Sequence, residues 1–323
     1  MGIDVGKTDL FCHIIGPNET TSDRFDNNSK GIRSLIAWLK KATKSKPWAA
    51  CMEQTGHYGD AVAESLYESC PDDIYLVNPQ RIKAFGMQKI RRNKSDTADA
   101  KLIARFLKAE HEELRPWQPK SAAEQRIMML SRFAESLTQD GARLKTMLES
   151  QSDKLICASL KRRIKSISNE VTKVRAEINK LINQDEKLRA RNELIQSIPG
   201  IGEVASHLVI AELPDLEQFE DARQLAAWAG LTPRHFVSGT SGKTRTPITK
   251  VGSPRLRRGL FMPAMNARVF NPLLREFAER LKENGKSPKQ IIIAVMRKLL
   301  HQIYGILKSG QPYNPNKRGL KTA

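Results

Sequence analysis

Gly2-Ile-Asp-Val-Gly-Lys-Thr-Asp-Leu-Phe-Cys-His-Ile-Ile15 carries two short apolar runs, Gly2 to Val5 and Leu10 to Ile15, and each reads as a β-strand. Asp4 stands in the middle of the first. A carboxylate inside an otherwise buried strand costs several kcal/mol unless something compensates it, and a metal ion is a natural compensator. Outward from this pair the pattern alternates. Ser29 to Lys44 reads as a helix opened by a Ser cap, and Trp48 to Glu53 as a strand. Asp60 to Ser69 reads as a helix, Ile74 to Asn78 as a strand, and Pro79 to Lys89 and Thr97 to Ala109 as helices. That alternation predicts an α/β domain over residues 1–115.

From residue 116 to 192 the chain loses nearly all Pro and Gly and becomes long-helical. Leu160, Ile164, Ile167, Val171, Val174, Ile178 and Leu181 form a heptad seam; Leu130, Ala134, Leu137, Gly141, Leu144 and Leu148 form a poorer one. The expectation is a coiled coil that also builds a homo-oligomer, a dimer or a tetramer; the competing reading is a helical hairpin inside one chain. Residues 193–323 read as a basic, mainly helical domain. Its opening, Ser197-Ile-Pro-Gly-Ile-Gly-Glu203, is similar to the hairpin of a helix-hairpin-helix motif, in which Gly200 and Gly202 would let backbone N–H groups approach a phosphate.

The formal charge is +19, which points to a polyanionic partner, nucleic acid before membrane. From Thr240 to Ala323, 18 Lys and Arg stand against 3 Glu and no Asp, so this quarter holds +15 of the charge. Its apolar periodicity, from Leu256 through Leu300, separates it from a disordered basic tail. No run approaches the ~20 apolar residues of a membrane span. The start, with Asp4 and no apolar core, does not read as a signal peptide. Cys12, Cys51, Cys70 and Cys157 show no C-x-x-C spacing, so they read as reduced thiols of a cytoplasmic protein and not as zinc ligands.

Glu53 ends the strand that starts near Trp48. Asp96 and Asp99 stand at i and i+3 at a helix start, hence on one face. Four carboxylates from two strand ends and one helix suit a pair of Mg²⁺ or Mn²⁺ ions about 4 Å apart, and hard oxygen ligands fit those metals rather than zinc. Read singly, Asp96 serves equally well as a helix cap and Asp99 as a partner of the helix dipole. Lys89, Arg91, Arg92 and Lys94, just upstream, read either as phosphate contacts or as a solvated loop.

Gly2-Ile-Asp-Val-Gly-Lys7, Glu53-Gln-Thr-Gly56 and Asn93-Lys-Ser-Asp-Thr-Ala-Asp99 together resemble the N-terminal half of the DEDD transposases of the insertion-sequence family "one-ten", relatives of the Piv-type invertases. Ser197-Ile-Pro-Gly-Ile-Gly202, Ala226-Ala-Trp-Ala-Gly-Leu-Thr-Pro-Arg234, Ser238-Gly-Thr-Ser241, Leu256-Arg-Arg258 and Met262-Pro-Ala264 resemble the second half. The resemblance implies a RuvC-like, RNase H-type catalytic domain with Asp4, Glu53, Asp96 and Asp99 as the catalytic metal ligands. It also implies a serine nucleophile at Ser238, donor and target DNA as substrates, and an element-encoded noncoding RNA as guide, in a bacterial or archaeal cell. From the residues alone, the polar, Gly-rich segment around Ser238 reads first as an ordinary DNA-contacting loop; as a nucleophile, Ser238 would have Lys243 and Arg245 near to steady a developing oxyanion, with Thr240 and Ser241 as rivals. Arg234, Lys243, Arg245, Arg257 and Arg258 are the remaining candidate nucleic-acid contacts.

Two other functions fit the same residues. A metal-dependent junction nuclease would use the carboxylates without Ser238. A non-enzymatic DNA-binding protein would use them as caps.

Overall fold

A computed structural model describes residues 1–16, 19–44, 46–53, 58–70, 73–87, 96–233, 248–249 and 252–316, with the backbone alone at 96 and 97. The chain divides into two compact units, Met1–Pro119 and Lys120–Ala323.

In the first unit β1 (Gly2–Val5), β2 (Asp9–Ile15) and β3 (Thr20–Asp26) form an antiparallel meander. α1 (Ser29–Thr43) then carries the chain to β4 (Ala50–Glu53), which lies parallel to β1, and α2 (Asp60–Ser69) carries it on to β5 (Ile74–Val77), parallel to β4. The sheet order is β3-β2-β1-β4-β5. α3 (Pro79–Met87) and α4 (Asp96–Glu110) follow.

The sheet is covered on both faces. Ile3, Leu10, Cys12, Ala50 and Met52 pack with Ile32, Leu35 and Leu39 of α1 and with Val62, Ala63 and Leu66 of α2. On the other face Cys51, Tyr75 and Val77 pack with Ile103, Phe106 and Leu107 of α4. The alternation of adjacent strand residues between these two cores is the period-2 pattern of a sheet buried on both sides.

The cap of α1 is Asn28, whose side chain accepts from the backbone N–H groups of Lys30 and Gly31, so Ser29 is already inside the helix. β3 is a strand that the sequence did not announce: Thr20–Asp26 is almost wholly exposed and polar, as an edge strand can be, and shows no apolar alternation.

The second unit begins with α5 (Ala122–Glu149), opened by a Ser121/Glu124 capping box, and α6 (Lys154–Gln184), capped by Asp153. The two pack against each other within the chain, with Ile127, Ala134, Gly141 and Leu144 buried on one and Leu160, Val171, Ile178 and Ile182 on the other. A β-carbon at Gly141 would meet the Ile167 side chain at 3.4 Å, an ordinary contact distance, so the two helices face each other there. The heptad seam thus closes an intrachain hairpin. α7 (Glu186–Gln196), α8 (Glu203–Glu212), α9 (Ala222–Trp228), α10 (Pro254–Phe270), α11 (Pro272–Glu283) and α12 (Pro288–Ser309) build one core around Leu260, Ala264, Val295, Leu299 and Ile303. Among the described residues no helix is long and apolar enough to cross a membrane.

Candidate nucleic-acid processing site

Asp4 is the third residue of β1, and Glu53 is the last of β4. The parallel register pairs Gly2 with Cys51 and Ile3 with Met52, and one residue further it sets Asp4 beside Glu53. Residues in register on neighbouring strands leave the same face of the sheet about 4.8 Å apart. Both carboxylates are half-buried.

That face is the α4 side. A β-carbon on Gly2 would lie 2.2 Å from Ala104 N and 2.3 Å from Ala100 O, so helix backbone fills the space a side chain would take. Asp4, two residues on, projects the same way. The helix runs against the direction of the parallel strands: the Tyr75 hydroxyl at the start of β5 lies 3.1 Å from Nε2 of His111, just past the end of α4. The beginning of α4 therefore lies toward the strand ends that carry Asp4 and Glu53. Along the helix axis Asp99 is about 4.5 Å, and Asp96 about 9 Å, beyond the turn that Gly2 touches. Asp4 is about 6.6 Å beyond Gly2 along the strand, between the two. Asp99 is half-buried.

The strand ends are pinned locally. Gly6 N–H donates to Asp9 O at 2.8 Å and Asn27 N–H to Thr8 O at 2.8 Å. The Asn27 side chain donates to Gly6 O at 2.9 Å and to Tyr58 O at 3.0 Å, tying the end of β1 to the start of the α2 segment. Sequence reasoning missed Asn27; a polar residue directly after an unannounced strand offers no period to find it by.

The donors described at this end of the sheet, Asp4, Glu53 and Asp99, are carboxylates, the hard oxygen ligands that suit Mg²⁺ or Mn²⁺. Among the described residues no three His, Cys, Asp or Glu side chains stand close enough together to hold an ion. The Asp96 side chain is not among them. Lys89, Arg91, Arg92 and Lys94 also lie outside the described residues, as do Arg234, Ser238, Lys243 and Arg245.

The residues flanking the serine segment are described. Pro233 pairs with Ile248 in an antiparallel bridge, and Thr249 N–H donates to Thr232 O at 2.9 Å, so the chain leaves and returns at one place. Gly252, at φ +119, returns it to α9: a β-carbon there would strike Trp228 O. Arg257 donates to Ala229 O at 2.8 Å, and Arg258 pairs with Glu135 of α5 at 2.9 Å. Arg257 is therefore bound to the end of α9, while the Arg258 side chain, paired with Glu135, stays 59% exposed. Gly200, at φ +101, packs directly on α10, since a β-carbon would lie 2.5 Å from Ala267 N. The space beside Gly202 is open, and α8 starts there with no side-chain cap.

A mixed five-strand sheet followed by a basic, mostly helical unit is consistent with a DEDD-type DNA transposase. The comparisons agree. Residues 1–156 match the model of the IS110 DEDD family, described as a transposase, and residues 192–279 match that of the transposase IS116/IS110/IS902 family. The chain is 32% identical to the pilin gene-inverting protein of Moraxella bovis over 317 residues, 97% of each chain. It is 28% identical over 216 residues, 56% of each, to a Coxiella burnetii protein named as the transposase for insertion sequence element IS1111A. The chain belongs to the IS110 family of insertion-sequence transposases and recombinases, and is an enzyme that acts on DNA. Divalent-metal dependence goes with the DEDD class in general.

Proposed function

We propose that the chain cuts and rejoins DNA as the recombinase of an insertion sequence. Ser238 is the nucleophile; Asp4, Glu53, Asp96 and Asp99 hold two Mg²⁺ or Mn²⁺ ions; an element-encoded noncoding RNA guides donor and target DNA. The observation that carries this reading is the register that sets Asp4 beside Glu53 on the face covered by α4, whose first turn begins with Asp96 and Asp99. The sheet order β3-β2-β1-β4-β5 supports a RuvC-like, RNase H-type domain. The division we propose is residues 1–115 for that domain, 116–192 for the coiled-coil region and 193–323 for the transposase domain.

In the reaction, Ser238 Oγ attacks phosphorus. An Oγ–P bond forms, the P–O bond of the chain breaks, and the released strand end leaves as a hydroxyl with the proton that Oγ gives up. The phosphoserine link keeps the bond energy available for strand exchange. Divalent ions held by the carboxylates would neutralise charge on the attacking and leaving oxygens. Lys89, Arg91, Arg92, Lys94, Arg234, Lys243, Arg245 and Arg258 bind phosphates, as do the backbone at Gly200 and Gly202; Arg257 supports them by holding the end of α9. The +15 C-terminal quarter serves DNA and RNA alike. Exposed Met147, Leu155 and Ile156 at the turn of the α5–α6 hairpin support a dimer or tetramer, since the seam itself is occupied within the chain. The setting is the cytoplasm of a bacterial or archaeal cell.

The test is to purify the full chain with any RNA that accompanies it, add Mg²⁺ and DNA bearing the element's ends, and trap the covalent protein–DNA adduct. The adduct is expected to be lost in Ser238→Ala and on chelation. An adduct that persists in Ser238→Ala overturns the nucleophile, and cleavage unaffected by chelation overturns the metal role.

A further inference from the structure

The row that contains the two carboxylates continues across the sheet. Register sets Phe11 opposite Asp4 and Arg24 opposite Phe11, so Arg24, Phe11, Asp4 and Glu53 leave one face in sequence. Two strand spacings put the Arg24 Cα about 10 Å from that of Asp4.

Arg24 is held in place before any ligand arrives. Its guanidinium carbon stands 5.4 Å from the centre of the Phe11 ring. Its Nε and Nη2 donate to Asp9 Oδ1 at 2.9 and 2.5 Å, while the Thr8 hydroxyl donates to Asp9 Oδ2 at 2.7 Å. The Thr8 hydroxyl, then Arg24, keep the Asp9 carboxyl below its ordinary range, so the anchor stays charged. The side chain is nevertheless 63% exposed, and Nη1 makes no hydrogen bond to the described residues. An arginine fixed by an aromatic ring and a carboxylate, with part of its fork facing solvent, loses little freedom when it takes an anion. The neighbouring carboxylates repel a nucleic-acid backbone, so a fixed cation on the same row offsets that repulsion at the place where DNA must lie.

We propose that Arg24 binds a backbone phosphate of the DNA strand lying across the β3 side of the Asp4–Glu53 pair, through its solvent-facing N–H groups. This rests on the role proposed above for those two carboxylates. Arg24 is a positioning residue, with Phe11 and Asp9 as its supports.

The full-length protein, Arg24→Ala, Arg24→Lys and Asp4→Asn are compared in recombination of a plasmid bearing the element's ends. Binding to a fluorescein-labelled 20-nucleotide thymidylate strand is measured across a salt series. Arg24→Ala is expected to weaken binding about tenfold and to flatten the log–log salt slope by about 0.7, the loss of one phosphate contact on a single strand. Arg24→Lys should restore the slope but only part of the affinity, since a point charge lacks the fork. Unchanged affinity and slope in Arg24→Ala, or a change in thermal midpoint alone, overturns the inference. Asp4→Asn separates the two claims: if it still recombines, the catalytic reading has failed; if it is inert while Arg24→Ala behaves as wild type, only the Arg24 inference has failed.

Discussion

Gly2→Ala is the most informative single change in the N-terminal unit, because it moves the proposed ligands without touching any of them. The new methyl would sit 2.2 Å from Ala104 N and 2.3 Å from Ala100 O, where ordinary contact needs about 3.5 Å. Both obstacles are helix backbone, so α4 must retreat by about 1 Å, carrying Asp96 and Asp99 away from Asp4 and Glu53. Overpacking of this kind costs roughly 1–3 kcal/mol, which leaves a domain folded but less stable. A displacement of about 1 Å between cooperating groups costs up to about 100-fold in rate. Gly59→Ala is the control: it lies near the same strand ends, but its methyl would meet Met52 and Val5 at 3.8 and 3.9 Å, ordinary contact distances. The assay pairs recombination rate with Mn²⁺ affinity by electron paramagnetic resonance, and with circular dichroism to establish folding. Gly2→Ala should be folded, slow and weak in Mn²⁺ binding, while Gly59→Ala matches wild type. A folded Gly2→Ala protein with normal rate and Mn²⁺ affinity refutes the claim that α4 delivers ligands to the strand ends.

Gly200→Ala adds a β-carbon at φ +101 against the Ala267 backbone, and should cost roughly 2–4 kcal/mol, read as a fall of roughly 5–10 °C in thermal midpoint. Arg132→Met leaves the Glu212 carboxylate, only 9% exposed, without the guanidinium that donates to it at 2.7 Å, and should cost about 2 kcal/mol in urea unfolding. Burial, aided by Arg297 and Lys298, pushes His301 down to about 4, so the folded protein keeps it neutral while the unfolded chain protonates it near 6.5. Stability is then full above about pH 6.5 and falls as pH drops toward 4, by roughly 3 kcal/mol from this residue. His301→Leu should flatten that part of the urea-stability curve, and a curve of unchanged slope would count against it.

The parts of this fold legible in the sequence were those with a strong period or a strong stop. β1 shows as Gly2-Ile-Asp-Val5 because three apolar or small residues surround one charge, and α5 and α6 show because their seams repeat over many turns. Asp4 and Glu53 drew notice because one is a charge inside an apolar strand and the other closes a strand, and the structure sets these two side by side in register. β3 was not legible, since an edge strand buries almost nothing and so leaves no alternation, and with it went Arg24 and Asn27. The cap at Asn28 was missed by one position because Asn28 and Ser29 are equally good caps, and only the close approach of Gly31 to the Asp26 backbone fixes where the helix begins. The heptad seam announced a helical partner without saying whose; a turn of only Ser150 to Asp153 lets the chain supply its own.

On the proposed mechanism, carboxylates at the ends of β1 and β4 gather divalent ions for cutting DNA. Crystals of the full-length protein grown with Mn²⁺, with anomalous differences collected at the manganese edge, test it most directly. Density is expected within coordination distance of both Asp4 and Glu53, and its loss in Asp4→Asn. Manganese bound elsewhere, or a protein that cuts DNA in Mn²⁺ with no ion at that strand pair, would contradict it.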